Sequence, residues 1–159
     1  MKELDRIDFE IIDHLQKDAR LSNKELAAKI GLAASSCHTR VRALQDAGVL
    51  KTFHALVDES SLGVGQQALY FVSLSHHSRN CCEQFMEDMM RLPQVTTVYQ
   101  ISGQTDFVVH VMAKDTAALR DFALDHITIR NEVNRIETSI IFNKRQNCVV
   151  PNYVEIPEA

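Results

Sequence analysis

At 159 residues, 45% hydrophobic and 24% charged, the chain has material for one large or two small globular domains. Its longest apolar runs, "ALYFV" and "FVVHVM", are too short to cross a bilayer, and the charged start "MKELDRIDFE" does not read as a secretory signal, so a cytoplasmic protein without a membrane partner is expected. The formal net charge of −4 conceals a local excess: residues 17–54 carry +4, against −3 over residues 1–16 and −3 beyond residue 60. A positive field confined to one segment suits a polyanion, because phosphate neutralisation with counterion release supplies most non-specific affinity.

Leu4, Ile7, Ile11, Ile12 and Leu15 recur at three- and four-residue steps and predict a first helix from about Leu4 to Gln16. Ser22 precedes Glu25 by three residues, the capping-box spacing, and starts a short second helix with Leu26, Ala27 and Ile30 inward. Gly31 is placed to end it. A third helix is expected from about Ser35 to Ala47, stopping at Gly48. Three short helices with a tight glycine turn before the last form a helix-turn-helix pattern.

At 100° per residue, Cys37, Val41 and Leu44 share one side of the third helix. Ser35, Ser36, Thr39 and Arg42 share the other, with His38 and Arg40 at the flanks. No carboxylate occurs between Glu25 and Asp46. A helix bearing hydroxyls and a guanidinium suits a major groove, where Arg reads guanine or grips phosphate and Ser or Thr takes either role. A solvated face of an ordinary three-helix bundle has the same composition. Arg42, Thr39 and Ser36, with Ser35 and His38 beside them, are the expected groove contacts; Arg40, Lys29 and Lys24 are the expected phosphate contacts.

"VLKTFHALVD" alternates apolar and polar residues and predicts a strand, followed by a linker near residues 58–66. Then come a strand (68–75), a helix (80–92), a strand (95–102), the turn "GQTD", a strand (107–113), a helix (116–127) and a strand (133–143). This βαββαβ order is ferredoxin-like, so the expected fold class is α+β: a helix-turn-helix domain over 1–58, a hinge over 59–66 and a ferredoxin-like domain over 67–159. Cys82, Phe85, Met86, Met89 and Met90 fall at helical steps, and the methionines read as core filler. In the strands, Leu69 and Phe71 alternate with Tyr70, Val72 and Leu74, so both faces of the sheet are apolar. Large apolar side chains left in water forfeit roughly 1.5–3 kcal/mol each. A second subunit is therefore expected to cover the face that the helices leave open.

Cys37, Cys81, Cys82 and Cys148 are too few and too scattered for a disulfide framework, and His76, His77 and Cys81 are too loosely spaced to predict a metal site. "SHHS" (75–78) reads as a polar loop. No Ser-His-Asp or paired-carboxylate arrangement stands out. Sheet-paired ferredoxin-like domains also build small enzymes, and His110 on a central strand is the residue such a reading would use for a cofactor. A third reading is an effector-binding protein that does not bind DNA.

The stretches "LDRIDFEIIDHLQKDARLSNKELAAKIGL" and "CHTRVRALQDAGVL", with the turn "GQTDF", resemble the leucine-responsive/asparagine-responsive (Lrp/AsnC, feast/famine) regulator family from about Leu4 to Asn143. The resemblance implies a nucleoid-associated, sequence-specific transcription regulator and no enzyme. It implies no cofactor, but an amino-acid effector bound near the G-x-x-D turn between effector domains. It further implies homodimers, with tetramers or octamers built from them. Asp106 would take the ammonium of such an effector. Backbone amides of Gly103, Gln104 and Thr105 would cradle its carboxylate, with Ser102 or Gln100 assisting. Asp106 as a plain turn former is the competing reading. The chain departs from the family where Ala33-Ala34 replaces Ser-Pro and "ITIRNEV" replaces Leu-Pro-Gly; Ser35 or Ser36 is expected to supply the missing helix cap by a later start.

Overall fold

A computed structural model describes residues 4–154. They form two compact units, residues 4–56 with 145–154 and residues 57–144. The tail from Arg145 groups with the N-terminal unit, where the Val150 N–H donates to Gln16 Oε1 at 2.6 Å, although the sequence reading carried it in the C-terminal domain.

In the first unit, helix α1 spans Arg6–Lys17, α2 Asn23–Ile30 and α3 Ala34–Asp46. Asp5 caps α1 by accepting from the Asp8 N–H at 2.9 Å. The capping box of α2 forms as its spacing predicts: Ser22 Oγ accepts from the Glu25 N–H at 3.2 Å, and the Ser22 N–H donates to Glu25 Oε2 at 2.8 Å. Gly31 then turns left-handed at φ +70°, a conformation that a side chain resists. Ile11, Leu15, Leu26, Ala27, Cys37 and Leu44 form the buried core.

Helix α3 differs from expectation at its start. It begins at Ala34, before either serine, and its N-cap Ala33 makes no side-chain hydrogen bond. The Cys37 N–H bonds Ala33 O at 3.0 Å, and burial of Cys37 and Leu44 against the other helices holds this register without a hydroxyl. Ala33 has φ −68° and ψ 143°, close to the φ −68° and ψ 156° of the working cap Ser22. Ala33→Ser is therefore expected to stabilise this unit by about 0.5–2 kcal/mol, seen as a higher urea midpoint; an unchanged midpoint would mean the first turn is already satisfied.

The strand expected over "VLKTFHALVD" does not form: residues 51–58 carry no regular structure and are exposed. Alternation alone makes no strand, because a strand needs a neighbour to take its backbone hydrogen bonds. A short 3₁₀ turn, Glu59–Leu62, follows.

The second unit holds a four-stranded antiparallel sheet in the order β2-β3-β1-β4, with β1 Gln66–Leu74, β2 Val95–Gln100, β3 Phe107–Ala113 and β4 Val133–Ile140. Helices α4 (Arg79–Met90) and α5 (Thr116–Phe122) join the strands. The second runs into a π turn, Ala123–Thr128, where sequence periodicity indicated one helix throughout. Ala68, Tyr70, Val72 and Leu74 of β1 and Phe107, Val109 and Val111 of β3 pack with Phe85, Met89, Leu119, Phe122 and Ile127. Met89 is core and Met86 packs against it, but Met90 is exposed. The Tyr70 hydroxyl donates to Leu119 O at 2.7 Å, which satisfies the buried phenol.

Strand alternation places Leu69, Phe71, Val108, Met112 and Tyr99 on the opposite face, bordered by Arg135, Glu137 and Ser139. His110 lies among them. One ring nitrogen sits 2.6 Å from Thr96 Oγ1 and the other 3.0 Å from Gln67 Oε1, and burial pushes its pKa down. With both nitrogens engaged across three strands, this histidine ties the sheet together.

Candidate nucleic-acid interface and effector turn

Helix α3 presents the face that its periodicity dictates. Cys37 and Leu44 are buried, whereas Ser35, Ser36, His38, Thr39 and Arg42 are exposed. The Arg42 side chain makes no hydrogen bond or ion pair among the described residues, so its guanidinium is available. Thr39 Oγ1 donates back to Ser35 O at 3.0 Å, which orients its methyl and oxygen on the outer face. His38 is held 3.0 Å from the side-chain amide of Asn23 at the first turn of α2. Asn23 is a neighbour that sequence reasoning missed; nothing in a spacing of fifteen residues marks the contact. Lys24 and Lys29 are exposed on α2.

Arg40, expected at a phosphate, is engaged within the fold. Its Nη1 reaches Asp5 Oδ2 at 2.7 Å and Asp8 Oδ1 at 2.9 Å, which clamps α3 to the start of α1. Asp8 is 1% exposed, a buried charge that needs such a partner. The Asp8 N–H first, and the Arg40 guanidinium after it, hold the Asp5 carboxyl below its ordinary range.

The second candidate is the turn between β2 and β3. Gly103 adopts φ +128°, open to glycine and strained for other residues. Gln100, Ser102 and Gln104 are exposed, and Thr105 and Asp106 half-buried. Asp106 bonds both its own hairpin and the adjacent strand: its carbonyl accepts from the Ile101 N–H at 2.9 Å, across the turn. Its N–H donates to Val72 O at 3.0 Å, and its Oδ2 accepts from the Leu74 N–H at 2.7 Å. Ser73 Oγ donates to Gln104 O at 3.1 Å, pinning the turn to β1. Asp106 Oδ1 meets His77 Nε2 at 2.9 Å, which gives one residue of the "SHHS" loop a definite contact. A cleft of about 820 Å³, lined by Glu59, Gln66, Thr116, Ile140 and Phe142 among others, lies elsewhere in this unit and does not include the turn.

Comparison with known proteins decides between the readings. The model of the Lrp/AsnC ligand binding domain matches residues 67–147, and that of a winged helix-turn-helix DNA-binding domain matches residues 4–51. The chain belongs to the Lrp/AsnC family. It is 40% identical to the HTH-type transcriptional regulator AldR of Mycolicibacterium smegmatis over 89% of this chain and 82% of that protein. It is 36% identical to the transcriptional regulator AzlB of Bacillus subtilis, over 92% and 93% of the two chains. Among solved structures, a transcriptional regulator of Neisseria meningitidis in complex with L-Met superposes with a TM-score of 0.82 at 28% identity, over 91% of this chain and 94% of that one.

As an Lrp/AsnC protein, the chain is a DNA-binding transcriptional regulator with a ligand-binding domain, and its relatives are regulators, not enzymes. The α+β architecture of helix-turn-helix followed by ferredoxin-like sheet is that of the family's solved structures. No helix among the described residues is long and apolar enough to cross a membrane.

Proposed function

We propose that this Lrp/AsnC regulator reads duplex DNA with the outer face of α3 and answers to a free amino acid held at the β2–β3 turn. The observation that carries the first half is the exposed row Ser35, Ser36, Thr39 and Arg42 on a helix whose other side is core. Arg42, Thr39 and Ser36 meet base edges, with Ser35 and His38 alongside. Lys24 and Lys29 contact phosphates. Arg40 contributes through the fold, as its ion pairs with Asp5 and Asp8 indicate.

One such helix buries little surface, so two must stand about one turn of DNA apart, roughly 34 Å, or a multiple of it. The open sheet face supports pairing of two copies. Phe71, Leu69, Val108 and Met112 form an apolar strip there, bordered by polar residues on β4. The functional division is then DNA binding by the N-terminal domain, a hinge over 59–66, and effector binding with dimerisation, or assembly to tetramers or octamers, by the C-terminal domain. Such a protein works in the cytoplasm, on the nucleoid.

At the turn, Asp106 takes the effector's ammonium and the amides of Gly103, Gln104 and Thr105 face its carboxylate, with Ser102 and Gln100 at the edge. A surface from a neighbouring subunit helps to enclose the ligand there. A small-molecule effector also suits the family's ligand-binding domain, and the Neisseria meningitidis regulator was solved with L-Met. The effector acts by binding two arrangements of the assembly unequally. The test is a gel shift on genomic fragments selected by the purified chain, repeated with each common amino acid, alongside sedimentation. The expected results are salt-dependent binding, a dimer or larger species at micromolar concentration, and at least one amino acid that shifts operator affinity. A stable monomer would remove the sheet-face pairing, and silence across the amino acids would remove the effector assignment.

A further inference from the structure

Asp106 has two oxygens with different duties. Oδ2 is occupied by the Leu74 N–H at 2.7 Å and belongs to the end of β1. That leaves Oδ1 as the oxygen pointed at an incoming cation, and His77 Nε2 already holds it at 2.9 Å. The two partners are unequally fixed. Asp106 is anchored in the sheet and its side chain is 22% exposed, whereas the His77 side chain is 62% exposed and hangs from the loop between β1 and α4. Ser78, the next residue, is committed as the N-cap of α4, accepting from the Cys81 N–H at 3.2 Å, so the loop stays close while the imidazole is free to turn away.

We propose that His77 is a built-in competitor for the effector: its imidazole N–H occupies the carboxylate oxygen that a ligand ammonium needs, and an amino acid must displace it to bind. This rests on the reading that Asp106 receives the ammonium. The chemistry of the exchange is like for like, one N–H donor replaced by another on a single oxygen, and an α-amino acid brings a permanent positive charge where the imidazole brings one only when protonated. A pair with one partner exposed and mobile is weak, so it tunes affinity without blocking the site. Its effect is to raise the concentration at which the regulator responds.

The test measures binding of each common L-amino acid to the full chain by calorimetry, in the wild type, His77→Ala, His77→Gln and Asp106→Asn. For an amino acid whose binding is lost in Asp106→Asn, His77→Ala is expected to bind about two- to fivefold more tightly, the range set by an exposed ion pair. His77→Gln retains an N–H donor of similar reach and is expected to stay near the wild type. The matching α-keto acid has no ammonium and is expected to gain nothing from His77→Ala. A merely structural histidine would weaken binding when removed. Asp106-dependent binding that is unchanged or weaker in His77→Ala overturns the competitor role and leaves the Asp106 assignment standing. Binding that ignores Asp106, or no binding in any variant, overturns both.

Discussion

Arg42→Ala is expected to weaken binding to an operator duplex by about 1–3 kcal/mol and to leave the fold intact. The residue lies on the exposed row of α3 and no other described residue uses its guanidinium, so removing it subtracts a DNA contact and little else. Arg42→Lys separates the two ways an arginine serves. A phosphate contact tolerates lysine, because charge is what counts, whereas a guanine contact depends on the planar fork that lysine lacks. Salt titration gives a second handle: loss of a phosphate contact lowers the slope of log affinity against log salt by about one. Unchanged affinity and slope in Arg42→Ala would take α3's outer face out of the interface.

Arg40→Ala is expected to act quite differently, two residues away on the same helix. It should destabilise the N-terminal unit by about 1.5–3 kcal/mol, because charged hydrogen bonds to Asp5 and Asp8 are lost and Asp8 is buried. Urea unfolding followed by helical circular dichroism reads this directly. If stability holds and only the salt slope of DNA binding falls, Arg40 is a phosphate contact after all.

The same cluster predicts a pH response. The folded-state pKa of Asp5 is lowered, chiefly by the Asp8 N–H and then by Arg40. The unfolded chain therefore binds its proton first as pH falls. The stabilisation is fully present above the ordinary aspartate range, about pH 4, and is lost as pH drops through the lower folded value. Acid sensitivity of the N-terminal unit in that range should be blunted in Arg40→Ala.

The contrast between Arg40 and Arg42 shows where reading a sequence succeeds and where it stops. Both arginines sit in a carboxylate-free stretch, and helical angle placed Arg42 outward and Arg40 at the flank. Periodicity reports which side of a helix a residue occupies, because that follows from 3.6 residues per turn. It does not report which distant side chain waits there. Asp5 and Asp8 precede Arg40 by 35 and 32 residues, and only the packing of α1 against α3 brings them within 2.9 Å.

Local rules also carried the Ser22–Glu25 box, the left-handed Gly31 and the βαββαβ order. Each depends on residues a few positions apart, so the sequence by itself determined them. The tertiary structure alone decided the rest. Both faces of β1 read as apolar, and only the packed helices decide that the Tyr70 row is the buried one. The start of α3 at an uncapped alanine follows from core packing that outweighs a missing hydroxyl. The strand expected over "VLKTFHALVD" is missing because strand pairing belongs to two segments and not to one. The tie between His77 and Asp106 exists because the end of β1 and the turn before β3 meet at one end of the sheet. In every such case the deciding free energy comes from groups distant in the chain, and no local pattern records whether they will meet.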